Sequence, residues 1–198
     1  MTAYTYSSLS QHFRQDNVEE LLSPLALLSD SEAKALIKTL IKEIPGHENQ
    51  CRGILSYLRP NLHRLIEHWT GGNYSDIRDG QENNTLDDET QQEISNFLME
   101  WHLLPLPDRD FIHYSKDDHW NSLVVGQEFH LKSFMGCAPH NWEHTSNGPA
   151  RLRFRPSLQA RFLGAFTTVA NEREVLIQPN AKFVVEQFSG GLFYLRDA

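Results

Sequence analysis

At Pro105 and Pro107 the hydrophobic pattern of this chain changes period, and that change bounds the folds open to it. Before the prolines, apolar residues recur at helical intervals; after them, short apolar or alternating runs are separated by turn residues. Ser29 and Glu32 have capping-box spacing, and Leu36, Ile37, Leu40, Ile41 and Ile44 follow on one helical face until Pro45-Gly46. Ile54, Leu55, Leu58, Leu62, Leu65, Ile66 and Trp69 form a second stripe, which Pro60 should kink or divide before Gly71-Gly72. Asn73 to Asp88 is polar, with Asp79-Gly80 and Asn83-Asn84 inside it, and reads as an exposed loop leading to a helix over Glu89 to Trp101. The expectation is an α+β protein: a helical lobe over residues 1–107, then a β-rich region over 108–198, within one compact domain or two.

The strand candidates are Phe111–Tyr114, Ser122–Val125, Gln127–Phe134, Arg151–Phe154, Arg161–Thr168, Glu174–Ile177, Lys182–Phe188 and Leu192–Leu195. The net charge of −8 argues against nucleic acid as a partner, because affinity for phosphate backbones comes mostly from Lys and Arg. Two cysteines, Cys51 and Cys137, fit a reducing compartment better than a disulfide scaffold. No run is long and apolar enough for a membrane span, and Met1-Thr2-Ala3-Tyr4 begins no signal peptide. A cytoplasmic protein is expected, or one secreted or injected into a host cell by a route that leaves no such mark.

Within residues 160–185, Glu174-Val175-Leu176-Ile177 reads as a buried strand, Gln178-Pro179-Asn180 as a turn and Lys182-Phe183-Val184-Val185 as the next strand. Glu172 and Glu174 are two residues apart, so on an extended backbone both carboxylates project from one face and suit chemistry that develops positive charge. On spacing alone, a solvated Glu-Arg-Glu edge at the end of a loop is the better fit, since paired acids are common.

The run A-R-x-L-x-x-F-T-T-x-x-N-E-R-E-V-L-I-x-P-N-x-x-F-x-V closely resembles the segment of mono-ADP-ribosyltransferases that carries their glutamate-x-glutamate signature. Val125-Gly126-Gln127-Glu128-Phe129, followed by Ser133-Phe134-Met135-Gly136-Cys137, looks like the glycine-led strand and F-S-T-S segment of the same family. Here Met135, Gly136 and Cys137 stand where that family has a hydroxyl-rich triplet. The resemblance covers roughly residues 108–198. It implies a pair of small packed sheets with NAD in the cleft, Glu174 as the catalytic acid at the ribose, and Glu172 as the residue that orients or deprotonates a protein acceptor. By the same resemblance His113 stands where the family carries an arginine at the end of its first core strand, Arg109 could substitute from just before that strand, and Tyr114, Ser133 and Phe134 belong to the NAD pocket. NAD is then the substrate, no further cofactor or metal is implied, and the role would be that of a bacterial effector, toxin or phage-encoded modifier.

Two other readings stand beside this one. Cys137, His140 and His144, with His130 as a fourth, have spacing compatible with a zinc site, although Pro139 and Asn147-Gly148 fit a loop there as well as a helix. The missing arginine and the altered triplet equally fit a catalytically silent domain of the same fold used as an interaction module.

Overall fold

A computed structural model describes residues 4–42, 46–139, 148–169 and 173–198. The chain divides into two compact units. One comprises Met1–Asp76, Leu86–Pro105 and Leu163–Glu172; the other comprises Ile77–Thr85, Leu106–Phe162 and Arg173–Ala198.

The first unit is helical. Its described elements are α1 (Tyr6–Ser10), α2 (Val18–Leu22), α3 (Asp30–Leu40), α4 (Glu48–Leu58), α5 (Pro60–His68) and, after α6 (Tyr74–Asn83), α7 (Asp88–Glu100). Helix α3 starts where the capping pattern requires: the Ser29 amide donates to the Glu32 carboxylate at 3.0 Å, and Ala33, Leu36, Ile37 and Leu40 are buried. Pro60 has no N–H to continue α4, so α4 ends at Leu58 and Arg59 takes an extended conformation (φ −149°, ψ 86°) before Pro60 opens α5. Arg59 occupies the break. Its guanidinium donates to the Leu58 carbonyl at 2.7 Å, the Leu28 carbonyl at 2.9 Å and Asp30 at 3.2 Å, so one side chain satisfies backbone acceptors left open at two chain breaks. Asp30 also meets His102 at 3.2 Å, and the bond to Arg59, followed by that to His102, holds its carboxyl below the usual range.

The polar stretch after Gly71-Gly72 is not the expected loop. A helical turn over Trp69–Asn73 is broken at Gly72 (φ +103°), which lets the chain change direction, and α6 resumes at Tyr74. Only Ile77 and Gly80 of α6 are buried, and its polar sequence with Asp79-Gly80 inside it reads as a loop.

The second unit contains eight strands: β1 (Phe111–Tyr114), β2 (Glu128–His130), β3 (Met135–Pro139), β4 (Ala150–Phe154), β5 (Ala160–Phe162), β6 (Val175–Ile177), β7 (Lys182–Ser189) and β8 (Leu192–Asp197). They hydrogen-bond in the order β2-β7-β8-β4-β1-β3-β6-β5; β4 and β8 run parallel and the other pairs antiparallel. Strand β3 joins the two halves, with Met135–Cys137 on β6 and Ala138–Pro139 on β1. Side chains from both halves, among them Phe111, Phe154, Phe183 and Leu195 with Cys137, Val175 and Ile177, fill one core. Gly190 and Gly191, both at positive φ (61° and 79°), form the two-residue turn between β7 and β8.

Three strand expectations shorten or fail. Ser122–Val125 is preceded by a 3-10 turn at His119–Ser122, forms no strand, and leaves Val124 and Val125 exposed; the buried Trp120 is the anchor there. Of 127–134 only Glu128–His130 is paired, and of 161–168 only the residues to Phe162 are, after which Gly164–Phe166 turns and packs with the helical unit. No described helix is long and apolar enough to cross a membrane.

Arg59 is only 8% exposed whereas the Asp30 side chain is 66% exposed. Arg59→Met should therefore lower the urea midpoint of unfolding clearly more than Asp30→Asn, because it strands two backbone acceptors as well as a charge. Equal midpoints would show that only the surface ion pair matters.

Candidate active site at the mouth of strand β6

Strand β6 is buried at all three residues and held on both sides, by β3 and by β5. Its far end is fixed by the predicted turn. Asn180 sits at φ +61°, the Gln178 amide donates to the Gln159 carbonyl at 3.0 Å, and the Lys182 amide donates to the Gln159 side chain at 2.8 Å. Glu174 is the residue immediately ahead of this rigid strand, half-buried, with Arg173 exposed beside it. Burial first, and the Glu174 carboxylate second, push the Cys137 thiol well above its ordinary pKa, so Cys137 is a neutral core residue. Glu172 lies outside the described residues.

Strand β1 separates two residues that the sequence reading grouped together. Phe111 pairs with Phe154 and His113 with Leu152, all on the core side of the sheet. The His113 ring meets Trp120 edge-on at 5.5 Å, and because Gly136 offers a carbonyl at 3.0 Å, His113 Nδ1 carries the proton and donates. Continuing the alternation of β6 back by one residue puts Glu174 on the face of Leu176 and Gly136, opposite the core face of His113. His113, half-buried, thus lies on the core face of β1 and caps the end of the β1–β3 ladder, and Tyr114, next along β1, takes the other face.

The remaining candidates are also accounted for. Ser133 is buried and donates to Glu82 at 3.0 Å; the Phe134 amide donates to the Gln81 side chain at 3.0 Å, and the Phe134 ring is fully buried. Both residues therefore anchor the approach to β3 onto α6, a helix that sequence reasoning took for a loop. Arg109 is exposed and paired with Asp108 at 3.2 Å, ahead of β1. Of the zinc-like set, His140 and His144 lie outside the described residues, and His130 is exposed and bonded to Glu128. No cluster of three potential ligands occurs among the described residues.

A cation that the sequence reading missed lies closer to β6. Arg161 on β5 pairs directly with Leu176, which puts it on the face assigned to Glu174. Burial lowers its pKa, and it donates to the carbonyls of Leu158 (2.8 Å) and Ala160 (2.7 Å). Its place directly across from β6 was hidden because pairing between β5 and β6 cannot be read from either segment alone.

Likeness to known proteins appears in structure and not in sequence: no family model matches the chain, and no curated protein matches it. Exoenzyme S from Pseudomonas aeruginosa, solved with human 14-3-3 protein beta and carba-NAD, superposes with a TM-score of 0.60 at 14% identity, over 84% of this chain and 88% of that one. C3stau2 from S. aureus, solved with NAD, gives 0.59 at 10% identity, over 85% and 94%. Vis toxin, an ADP-ribosyltransferase from Vibrio splendidus, gives 0.51 at 17% identity, over 86% and 85%.

The half-buried imidazole of His113 gives a pH test. Burial lowers its pKa below the ordinary 6.5, against the opposing bond to Gly136. The unfolded chain then binds that proton more readily, so the stabilising contribution is complete above pH 6.5 and is lost as pH falls below it. His113→Leu should lower stability at pH 8 by about 1–3 kcal/mol, the loss of one buried hydrogen bond. The gap to the native protein should narrow in melts at acid pH. A gap of equal size at both pH values would mean that His113 is not held neutral.

Proposed function

On a fold shared with bacterial mono-ADP-ribosyltransferase toxins, we propose that this chain is an NAD-dependent mono-ADP-ribosyltransferase that moves ADP-ribose from NAD to a protein side chain and releases nicotinamide. The observation that carries the reading is Glu174 at the mouth of a fully buried, doubly paired strand, which fixes the backbone from which that carboxylate projects.

Cleavage of the bond between ribose C1′ and the nicotinamide nitrogen sends the bonding electrons to nicotinamide and leaves positive charge spread over C1′ and the ring oxygen. Glu174 stabilises that charge and accepts a hydrogen bond from a ribose hydroxyl. Glu172 takes the proton of the acceptor group as it attacks C1′. Arg161, on the face assigned to Glu174, is the cation suited to the pyrophosphate. Tyr114 offers a ring and a hydroxyl to the dinucleotide in place of the family arginine. NAD serves as substrate, and no step needs a metal. The acceptor is a protein outside this chain, and the chain acts as an effector or toxin delivered to another cell.

The runner-up, a silent domain of this fold that binds a partner, is favoured by specific contacts: the Ser133 hydroxyl is taken by Glu82 and the Phe134 ring is fully buried. Calorimetric titration with NAD separates the two, since a silent domain gives no heat. Glu174→Gln should reduce both NAD hydrolysis and transfer, followed with labelled NAD and a cell lysate, by roughly a hundred- to a thousandfold at unchanged melting temperature. Unchanged turnover in that variant would remove Glu174 from the mechanism.

A further inference from the structure

The segment that leads into β5 is bound to the end of β8 by one carboxylate. Asp197 Oδ1 accepts from the Ser157 hydroxyl and from the Gln159 side-chain amide (3.2 Å), while its Oδ2 accepts from the Leu158 amide at 3.1 Å. The Ser157 hydroxyl also accepts from the Gln159 amide at 3.0 Å, and Ser157 is only 4% exposed, so water competes little for these bonds. Gln159 carries the bracket further. Its side chain donates to the Lys182 carbonyl at 2.6 Å and accepts from the Lys182 amide at 2.8 Å, and its own carbonyl accepts from the Gln178 amide. Residues 157–159 are thereby fixed to β7, to β8 and to the turn after β6, all within the β-rich unit.

Arg161 is seated on this segment. Its Nη1 donates to the Leu158 and Ala160 carbonyls, and because a guanidinium is planar, fixing one nitrogen restricts the plane of the whole group. Leu158 is therefore held from both sides, its N–H by Asp197 and its carbonyl by Arg161. Arg161 lies directly across from Leu176, which makes position 174 its diagonal neighbour, roughly 7–8 Å away on the same face. Glu174 takes its own place from β6, which β3 holds on the other side. We propose that Asp197 is a positioning residue for NAD: through Leu158 it holds the Arg161 guanidinium in the orientation that receives the pyrophosphate. The proposal rests on the transferase reading above and on the part Arg161 takes in it. A side chain already ordered in the free protein gives up less rotamer freedom when the ligand binds, so Asp197 acts on NAD affinity. A phosphate contact is made before and during bond cleavage alike, so the chemical step is spared.

The test uses the full chain, calorimetric titration with NAD and the kinetics of NAD hydrolysis, all well below the melting temperature of every variant. Asp197→Ala removes the acceptor for Ser157, Leu158 and Gln159 together. It should weaken NAD binding about tenfold, with kcat for hydrolysis within about twofold of the native value. Arg161→Met should weaken binding at least as much, and adding Asp197→Ala to Arg161→Met should weaken it no further, because Asp197 acts only through Arg161. Asp197→Asn, which keeps one acceptor oxygen, is the milder form of the same cycle and replaces Asp197→Ala if that variant does not fold. A second full loss of affinity in the double variant, or a fall in kcat as large as the fall in affinity, marks a merely structural contact and overturns the positioning role. Native affinity in either single variant overturns it too, and leaves the transferase reading intact as long as the native protein cleaves NAD. Native protein that neither binds nor cleaves NAD overturns that reading and the positioning role with it.

Discussion

Strand β3 has to satisfy two partners, and the β-rich unit depends on how it does so. Met135–Cys137 are committed to β6 and Ala138–Pro139 to β1, so neither neighbour runs the length of the strand. Where the β1 ladder stops, a backbone carbonyl on β3 would be left without a donor, a cost that folded proteins avoid. The His113 imidazole supplies the donor to Gly136, and Trp120 packs against the ring. The approach to β3 is fixed as well, with Gln81 and Glu82 of α6 taking the Phe134 amide and the Ser133 hydroxyl. With β3 held in this way, β6 has a rigid neighbour and Glu174 stands at a defined place.

The helical unit solves a similar problem with side chains. The break that Pro60 imposes leaves carbonyls that Arg59 collects, and the segment 163–169 is held by Arg52 and Thr70 instead of by a sheet. In each case a single donor-rich or hydroxyl side chain replaces several ladder bonds. Such clamps are local and satisfy backbone groups that no ladder reaches.

Several of these features were legible in the sequence. The capping pattern at Ser29 and Glu32, the Pro60 division and the Gln178–Asn180 turn depend on residues within a few positions of one another, and all three are present. Helix α6 was not legible, because Ile77 and Gly80 are its only buried residues and its place follows from contacts with residues fifty positions away. The apolar run Ser122–Val125 misled for the opposite reason: short hydrophobic stretches read as strands, yet a strand exists only where a partner offers its backbone.

By itself the sequence determined the change from helices to strands after Pro107 and the strand-turn-strand that follows Glu174. Only the tertiary structure decided which parity of β1 faces the core. Alternation in an isolated strand names two faces without saying which is buried, and the pairing of Phe111 with Phe154 and of His113 with Leu152 makes that choice. The same pairing logic brings Arg161 opposite Leu176 and sends His113 inward, because register is a relation between segments and is not contained in either one.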